Sequence, residues 1–266
     1  MEVNMTRYEQ MIQTDRDLIM TGTVSPAETE KIVTSWLAAA DREACDRFFA
    51  GISRIAPQSR AMYPIFYAPS WNDGKKCKTI LEQTPKTWLF SANYEELETV
   101  RILNRLAPDH PQVRKMTDAV SERLSGTCFG AQDDGVGECF DASLVVLRYA
   151  DGLGDSALIR SRAENYLRHR DEKKRPWFSE WYFRLCLSEL PETDFLYYLP
   201  EAEKRRADSE NWLFHKGCVM NSEQDRRLHP LLICILRNLL VRLPDSAVTP
   251  DQVPAVNPKD NRLYLV

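Results

Sequence analysis

Apolar residues recur along this chain at spacings of three and four, the period of a helix that buries one face. Tyr8, Met11, Ile12, Leu18 and Ile19 mark the first stripe, and Ile32, Val33, Trp36, Leu37 and Ala40 the second. Between them, Ser25-Pro26-Ala27-Glu28 has the layout of a capping box, with a hydroxyl at the cap, proline at the first helical position and Glu28 three residues after the cap. Phe48, Phe49, Ile52 and Ile55 form a third apolar face. Residues 60 to 90 interrupt the pattern, because Pro64, Pro69 and Pro85 break any long helix and Asn72-Asp73-Gly74 is a turn signal. Tyr63 to Trp71 is expected to run extended. Lys75 to Gln83 fits a short helix or the return strand of a hairpin, and the helix is preferred because it supplies a missing repeat partner. This is also the one region with β signals.

Beyond it the helical period returns. Asn93 is placed as a cap with Glu95 and Glu96 in the first turn, where the helix dipole favours acids, ahead of Leu97, Val100, Ile102, Leu103 and Leu106. Further helices are predicted over 112–124, 140–149, 155–169, 178–190, 193–208 and 230–243. Pro244, Pro250, Pro254 and Pro258 then predict an extended tail over 244–266, whose apolar end, Leu263 to Val266, packs back on the domain. Trp88-Leu89-Phe90 returns as Trp212-Leu213-Phe214, and more weakly as Cys128-Phe129 and Trp177-Phe178, at intervals of 35 to 49 residues. Each is read as opening an apolar helix, followed by a turn and a more polar helix. Ala119, Ala163 and Ala202 sit at matching places in the second helices, where a small side chain permits close approach. Units that cannot bury their apolar face alone must lean on neighbours, so the expectation is all-α: ten to twelve helices in antiparallel hairpins, in one domain over 1–266.

The run Gly137-Glu138-Cys139-Phe140-Asp141-Ala142-Ser143-Leu144-Val145-Val146-Leu147, a glycine turn, and then Ala157-Leu158-Ile159-Arg160-Ser161-Arg162-Ala163-Glu164-Asn165-Tyr166-Leu167 resemble the helix-pair repeat of α/α toroids. That superfamily includes terpenoid cyclases, protein prenyltransferases and, more distantly, six-hairpin glycosidases. The resemblance spans residues 25 to 243 and is one of rhythm. It implies an α/α toroid, complete or nearly so, with an irregular insertion around 60–90. The class II cyclase acid motif, Asp-x-Asp-Asp, has its nearest counterpart in Glu138-Cys139-Phe140-Asp141, where Phe140 stands in place of that family's proton-donating aspartate.

Composition narrows the partners. A chain that is 43% apolar can build a core, while 28% charged residues and a net charge of -4 argue against nucleic acid or an anionic membrane as partner. No apolar run reaches membrane-spanning length and the N-terminus does not read as a signal peptide, so a cytoplasmic location is expected. The seven cysteines are scattered without a CxxC pair, and Cys186 and Cys234 fall in apolar helices, so reduced thiols are expected. No cofactor is specified.

Candidate chemistry concentrates in two places. Gly126 to Asp141 holds four glycines and four carboxylates, Asp133, Asp134, Glu138 and Asp141. Glu138 and Asp141 are the candidate acid/base pair, with Asp133 and Asp134 as ligand contacts, against the plainer reading of a solvated loop whose acid caps a helix. Trp177, Trp181, Tyr182 and Glu180 are candidate ligand-binding residues, since aromatic faces on an inner helix can hold an apolar ligand or a cation, although packing between hairpins accounts for aromatic rings equally well. His215, Cys218 and His229 could be three zinc ligands of a site that keeps one position open, but zinc signals normally show tighter ligand pairs, so a chance grouping in a polar connector is preferred and no metal is assigned. The basic run Arg160, Arg162, Arg168, Arg170, Lys173, Lys174 and Arg175 could meet a phosphate or another acidic partner, but with Glu164, Asp171 and Glu172 among them a solvated outer face with internal ion pairs is the preferred reading. Two functions follow as expectations: a toroid protein binding an organic small molecule, isoprenoid- or saccharide-like, in an aromatic and acidic cavity with carboxylate acid/base chemistry, or a non-enzymatic helical-repeat scaffold for protein–protein interaction.

Overall fold

The computed structural model describes residues 5–52, 57–70, 76–131, 138–169 and 177–266, and they are predominantly α-helical. The chain forms two compact units, one of Met1–Leu18 with Thr23–Lys174, the other of Ile19–Gly22 with Arg175–Val266. Among the described residues no helix is long and apolar enough to cross a membrane.

The first unit runs through α1 (Arg7–Thr21, its last turn belonging to the second unit), α2 (Pro26–Ala39), α3 (Arg42–Ala50), a 3-10 turn (Pro57–Met62), α4 (Trp88–Leu106), α5 (Pro111–Ser125), α6 (Cys139–Asp151) and α7 (Ser156–His169). Ser25 caps α2 as its spacing suggests, its side chain accepting from the Glu28 amide at 3.3 Å. Helix α4 packs against α5 and α6, and α6 against α7. Burial alternates with this order. From Phe90 to Leu103, α4 is buried on every side, as is α6 from Phe140 to Ala150. Helices α5 and α7 each bury one stripe, Val113, Met116 and Val120 on α5 and Ile159, Ala163 and Tyr166 on α7.

Two local expectations are corrected in this unit. Helix α4 starts five residues earlier than Asn93, capped by Thr87, whose Oγ1 accepts from the Phe90 amide at 3.1 Å. Asn93 is therefore interior, and Glu95 and Glu96 lie beyond the first turn, fully buried. The described part of 75–83 is neither helix nor strand. It is an irregular loop that sends Ile80 and Leu81 into the core, with Glu82 at φ 61 and the Ile80 amide donating to the Tyr94 hydroxyl at 2.7 Å. No strand lies among the described residues of 60–90. The Asn72-Asp73-Gly74 signal falls outside the described residues.

The second unit holds α8 (Trp177–Glu189), α9 (Glu192–Tyr197), α10 (Leu199–Glu203), α11 (Arg206–Asn211), a π-helical turn (Trp212–Lys216), β1 (Cys218–Val219), α12 (Glu223–Leu240), β2 (Pro254–Asn257) and β3 (Arg262–Leu265). The helix expected over 193–208 is three short ones. Trp212-Leu213-Phe214 does not open an apolar helix but forms the π turn that ends α11, so this fourth repeat of the motif differs from Trp88, which opens α4. Helix α12 begins seven residues before Pro230, at a capping box in which Ser222 and Asp225 each bind the other's backbone amide. The β structure sits in the proline-rich segment, in a sheet of order β1-β3-β2, antiparallel throughout, with Cys218 opposite Leu263 and Ala255 opposite Tyr264. Gly217, at φ 60, is required here, because a Cβ would lie 2.7 Å from the Tyr264 ring and 2.9 Å from the Leu263 carbonyl oxygen.

Candidate functional site

Glu138 precedes α6 and is 5% exposed. It accepts the Thr87 amide and the Thr87 hydroxyl, each at 2.6 Å, and the Lys86 amide, and so binds the donors left free at the start of α4. Asp141 lies in the first turn of α6 and is 7% exposed. It is not the cap of that helix; Glu138 holds that position without a side-chain capping bond. Asp133 and Asp134 lie outside the described residues. Of the loop's glycines, Gly130 has a structural reason: at φ 65, a Cβ there would stand 3.0 Å from the backbone of Ala142 and Ser143 in α6.

Glu180, Trp181 and Tyr182 belong to α8, in the second unit; Trp177 opens that helix, and its side chain lies outside the described residues. Tyr182 and Phe183 are fully buried and Trp181 nearly so. Phe178 and Tyr182 pack with ring centroids 5.0 Å apart, and Trp181 meets Trp212 edge-on at 5.8 Å. The rings already carry cations of the chain itself: the Arg184 guanidinium sits 5.3 Å from the Trp181 centroid and that of Arg205 4.9 Å from Phe183. Glu180 binds those same arginines, with Arg205 Nε at 2.8 Å and Arg184 Nε at 3.4 Å. Burial alone would raise the Glu180 carboxyl, but Arg205 and Arg184 outweigh it and hold the group below its ordinary range. Such a carboxylate is an ionised brace and does not donate protons near neutrality.

Pattern reading overlooked the densest polar construction in the first unit. Glu95, Glu96 and Glu98 of α4 project in different directions because successive helical residues turn by about 100°. Glu95 takes Arg7 Nη2 at 2.6 Å, the Ser70 amide at 2.9 Å and the Ser70 hydroxyl at 2.7 Å. Glu96 gathers the consecutive amides of Ile65, Phe66 and Tyr67 at 2.9, 2.7 and 3.3 Å, with Arg123 at 3.4 Å. Glu98 pairs with Arg101 Nε at 2.7 Å and Arg148 Nη1 at 3.1 Å, and both arginines also bind Asp15 of α1. A buried helix carrying three glutamates was a signal in the sequence, since acids on a stripe this apolar must find partners.

Other features of metal or ligand sites are sparse. Among the described residues no group of three His, Cys, Asp or Glu side chains could hold a metal ion. Cys218 is buried in β1, and burial pushes its thiol up to about 12, away from the thiolate a metal would bind. An open groove of about 540 Å³ in the second unit lies between the π turn, with Phe214 and His215, and the sheet, with Val256, Asn257 and Tyr264. Its strand edge is blunt, because Pro254 and Pro258 flank Val256 and have no amide to offer an added strand.

Compared with protein-family models, curated proteins and solved structures, the chain finds no match in any of the three.

Proposed function

We propose that this chain is a non-enzymatic helical scaffold that binds another protein. The observation that carries the reading is the adjacent pair Leu196 and Tyr197 on α9, which are 56% and 53% exposed. Their base is firmly held. The neighbouring Phe195 and Tyr198 are buried, and the Arg242 guanidinium lies 3.9 Å from the Phe195 centroid while donating to the carbonyls of Leu187 and Ser188, each at 3.2 Å. Tyr197 meets Tyr198 edge-on at 4.9 Å. A leucine and a tyrosine presented from a helix anchored by its buried neighbours are placed to meet a partner, and tyrosine is among the residues that dominate interface energetics. Support also comes from the candidate carboxylates: Glu138 serves the start of α4 and Glu180 serves Arg205 and Arg184, so both act as architecture.

At the level of fold we further propose that the hairpins continue into an α/α toroid of the kind seen in terpenoid cyclases and prenyltransferases. The alternation of the fully buried α4 and α6 with the one-faced α5 and α7 supports it, since a toroid places one helix of each hairpin inside and the other outside.

The test compares wild type with L196S/Y197S in cross-linking and size-exclusion of the full chain from its native cells. A stoichiometric complex formed by wild type and lost from the double variant, with unchanged circular dichroism, is the expected result. The scaffold reading fails if an isoprenoid or saccharide raises the melting temperature of wild type and the effect disappears in D141N, because that places a small-molecule site at the acids of α6.

A further inference from the structure

Arg162 belongs to the basic run that reads as a solvated face, yet it is 8% exposed and lies on the buried stripe of α7 with Ile159 and Tyr166. Among the described residues it forms no ion pair. Among those residues its one hydrogen bond runs from Nη1 to the hydroxyl of its neighbour Ser161 at 3.3 Å, and Nε is buried without a partner. One turn along the same helix, Asn165 is 6% exposed, and its Oδ1 is likewise buried and unpartnered. Residues at this spacing have Cβ atoms about 5–6 Å apart, within reach of one small ligand.

A buried guanidinium without a counter-charge is costly, and the chain shows elsewhere how it handles such groups: Arg101, Arg123 and Arg148 all have carboxylate partners. Burial pushes Arg162 below its ordinary range, with no neighbouring charge among the described residues acting on it. Asn165 Oδ1 needs a hydrogen-bond donor, whereas the guanidinium needs an anionic acceptor. A singly protonated phosphate group has both, a P–OH to donate and P–O⁻ oxygens to accept a forked guanidinium contact. Carboxylates and sulfate at neutral pH have only acceptors.

We infer that Arg162 and Asn165 form a binding site for a small phosphate-bearing ligand, with Arg162 holding the anionic oxygens and Asn165 accepting the P–OH. With both side chains this deeply buried, the ligand class we assign is the smallest that carries this chemistry, inorganic phosphate or a small phosphomonoester. The site is independent of the α9 surface, and its failure leaves the scaffold reading untouched.

The experiment is thermal unfolding of the full chain at pH 6 and constant ionic strength in phosphate, sulfate or chloride, for wild type, R162M and N165L. Phosphate and sulfate both stabilise proteins generally by exclusion from the surface, so the specific part is the extra response of wild type. Phosphate is expected to raise the wild-type melting temperature by several degrees more than sulfate does once it is in about hundredfold excess over Kd. R162M should melt higher than wild type in chloride, because a buried unpaired charge is gone, and should lose the extra phosphate response. Should R162M fail to fold, equilibrium dialysis decides, with one phosphate bound per wild-type chain and binding weakened about fivefold in N165L. No excess of phosphate over sulfate in wild type, an excess kept in full by R162M, or an excess that emerges only in D171N/E172Q would each overturn the site. In the last case the chain's own carboxylates hold the arginine.

Discussion

Arg148 of α6 grips Asp15 of α1 through both oxygens, at 2.6 and 2.8 Å, across 133 residues of sequence, with both side chains almost fully shielded from water. Arg101 and Glu98 of α4 join the cluster, so two acids and two arginines interlock where three helices of the first unit meet. A buried set of mutually bonded charges stores little net stability relative to a well-packed apolar core, but it penalises any arrangement that separates its members. It ties α1, α4 and α6 together.

Removing one partner should therefore be worse than removing two. Asp15→Asn is expected to destabilise the protein by about 3–5 kcal/mol, because Arg148 is left buried and under-paired. Replacing the set by apolar residues, as D15L/E98L/R101M/R148M, should recover much of that loss. Urea unfolding followed by circular dichroism measures both, and a quadruple variant clearly weaker than Asp15→Asn would contradict the account.

Acid should unfold the protein through the same carboxylate. Burial alone would raise the Asp15 carboxyl above its usual 3.8, but Arg101 and Arg148 reverse this and hold it lower. The unfolded chain then takes up the proton at higher pH than the folded one. The stability Asp15 contributes is thus fully present above about pH 4 and is lost as pH falls through the folded value. Glu180, held down by Arg205 and Arg184 against its burial, acts with the same sign in the second unit. Urea midpoints should be flat from pH 7 to about 5 and fall below 4, less steeply in Asp15→Asn; a midpoint that rises on acidification would rule the mechanism out.

Glu138 is tested through Thr87. Glu138→Ala strands two amides and a hydroxyl at the start of α4 and is expected to cost about 1.5–3 kcal/mol, while Thr87→Ala alone costs about 1 kcal/mol as a lost cap. The two share a hydrogen bond, so the double variant should lose less than the sum. Additive losses in denaturant melts would mean the residues act independently.

The thiols should separate by burial. Cys45, Cys77, Cys186, Cys218 and Cys234 are buried, Cys139 is half-buried and Cys128 is exposed. Burial pushes the thiols of Cys45 and Cys218 up to about 12 and raises Cys77, where Glu95 adds to the effect, and Cys234. At pH 8 a disulfide reagent should modify Cys128 quickly and Cys139 slowly, with all seven thiols recovered only on unfolding without reductant. Rapid native modification of Cys45 or Cys77 would show that their surroundings open.

What the sequence by itself determined is what neighbours along the chain decide. Ser25 and Pro26 start α2, the apolar period marks α1 and α5 to α8, and the scattered cysteines show no pairing, because caps and helical stripes depend on residues three and four apart. The partners of Glu95, Glu96 and Glu98 were not legible, since Ser70, Phe66, Arg148 and Arg7 lie 25 to 88 residues away and an acid on a helix looks the same whether it faces water or an arginine. For the same reason the candidate acids were located but not understood: Glu138 was placed beside a helix start, yet the start it serves is that of α4, 51 residues earlier. The division of 193–208 into three helices and the π turn at Trp212 likewise follow from how α9 to α11 pack against the rest of their unit. Tertiary structure decided which charges are buried, because only the assembled fold removes water and leaves each ion dependent on a distant partner.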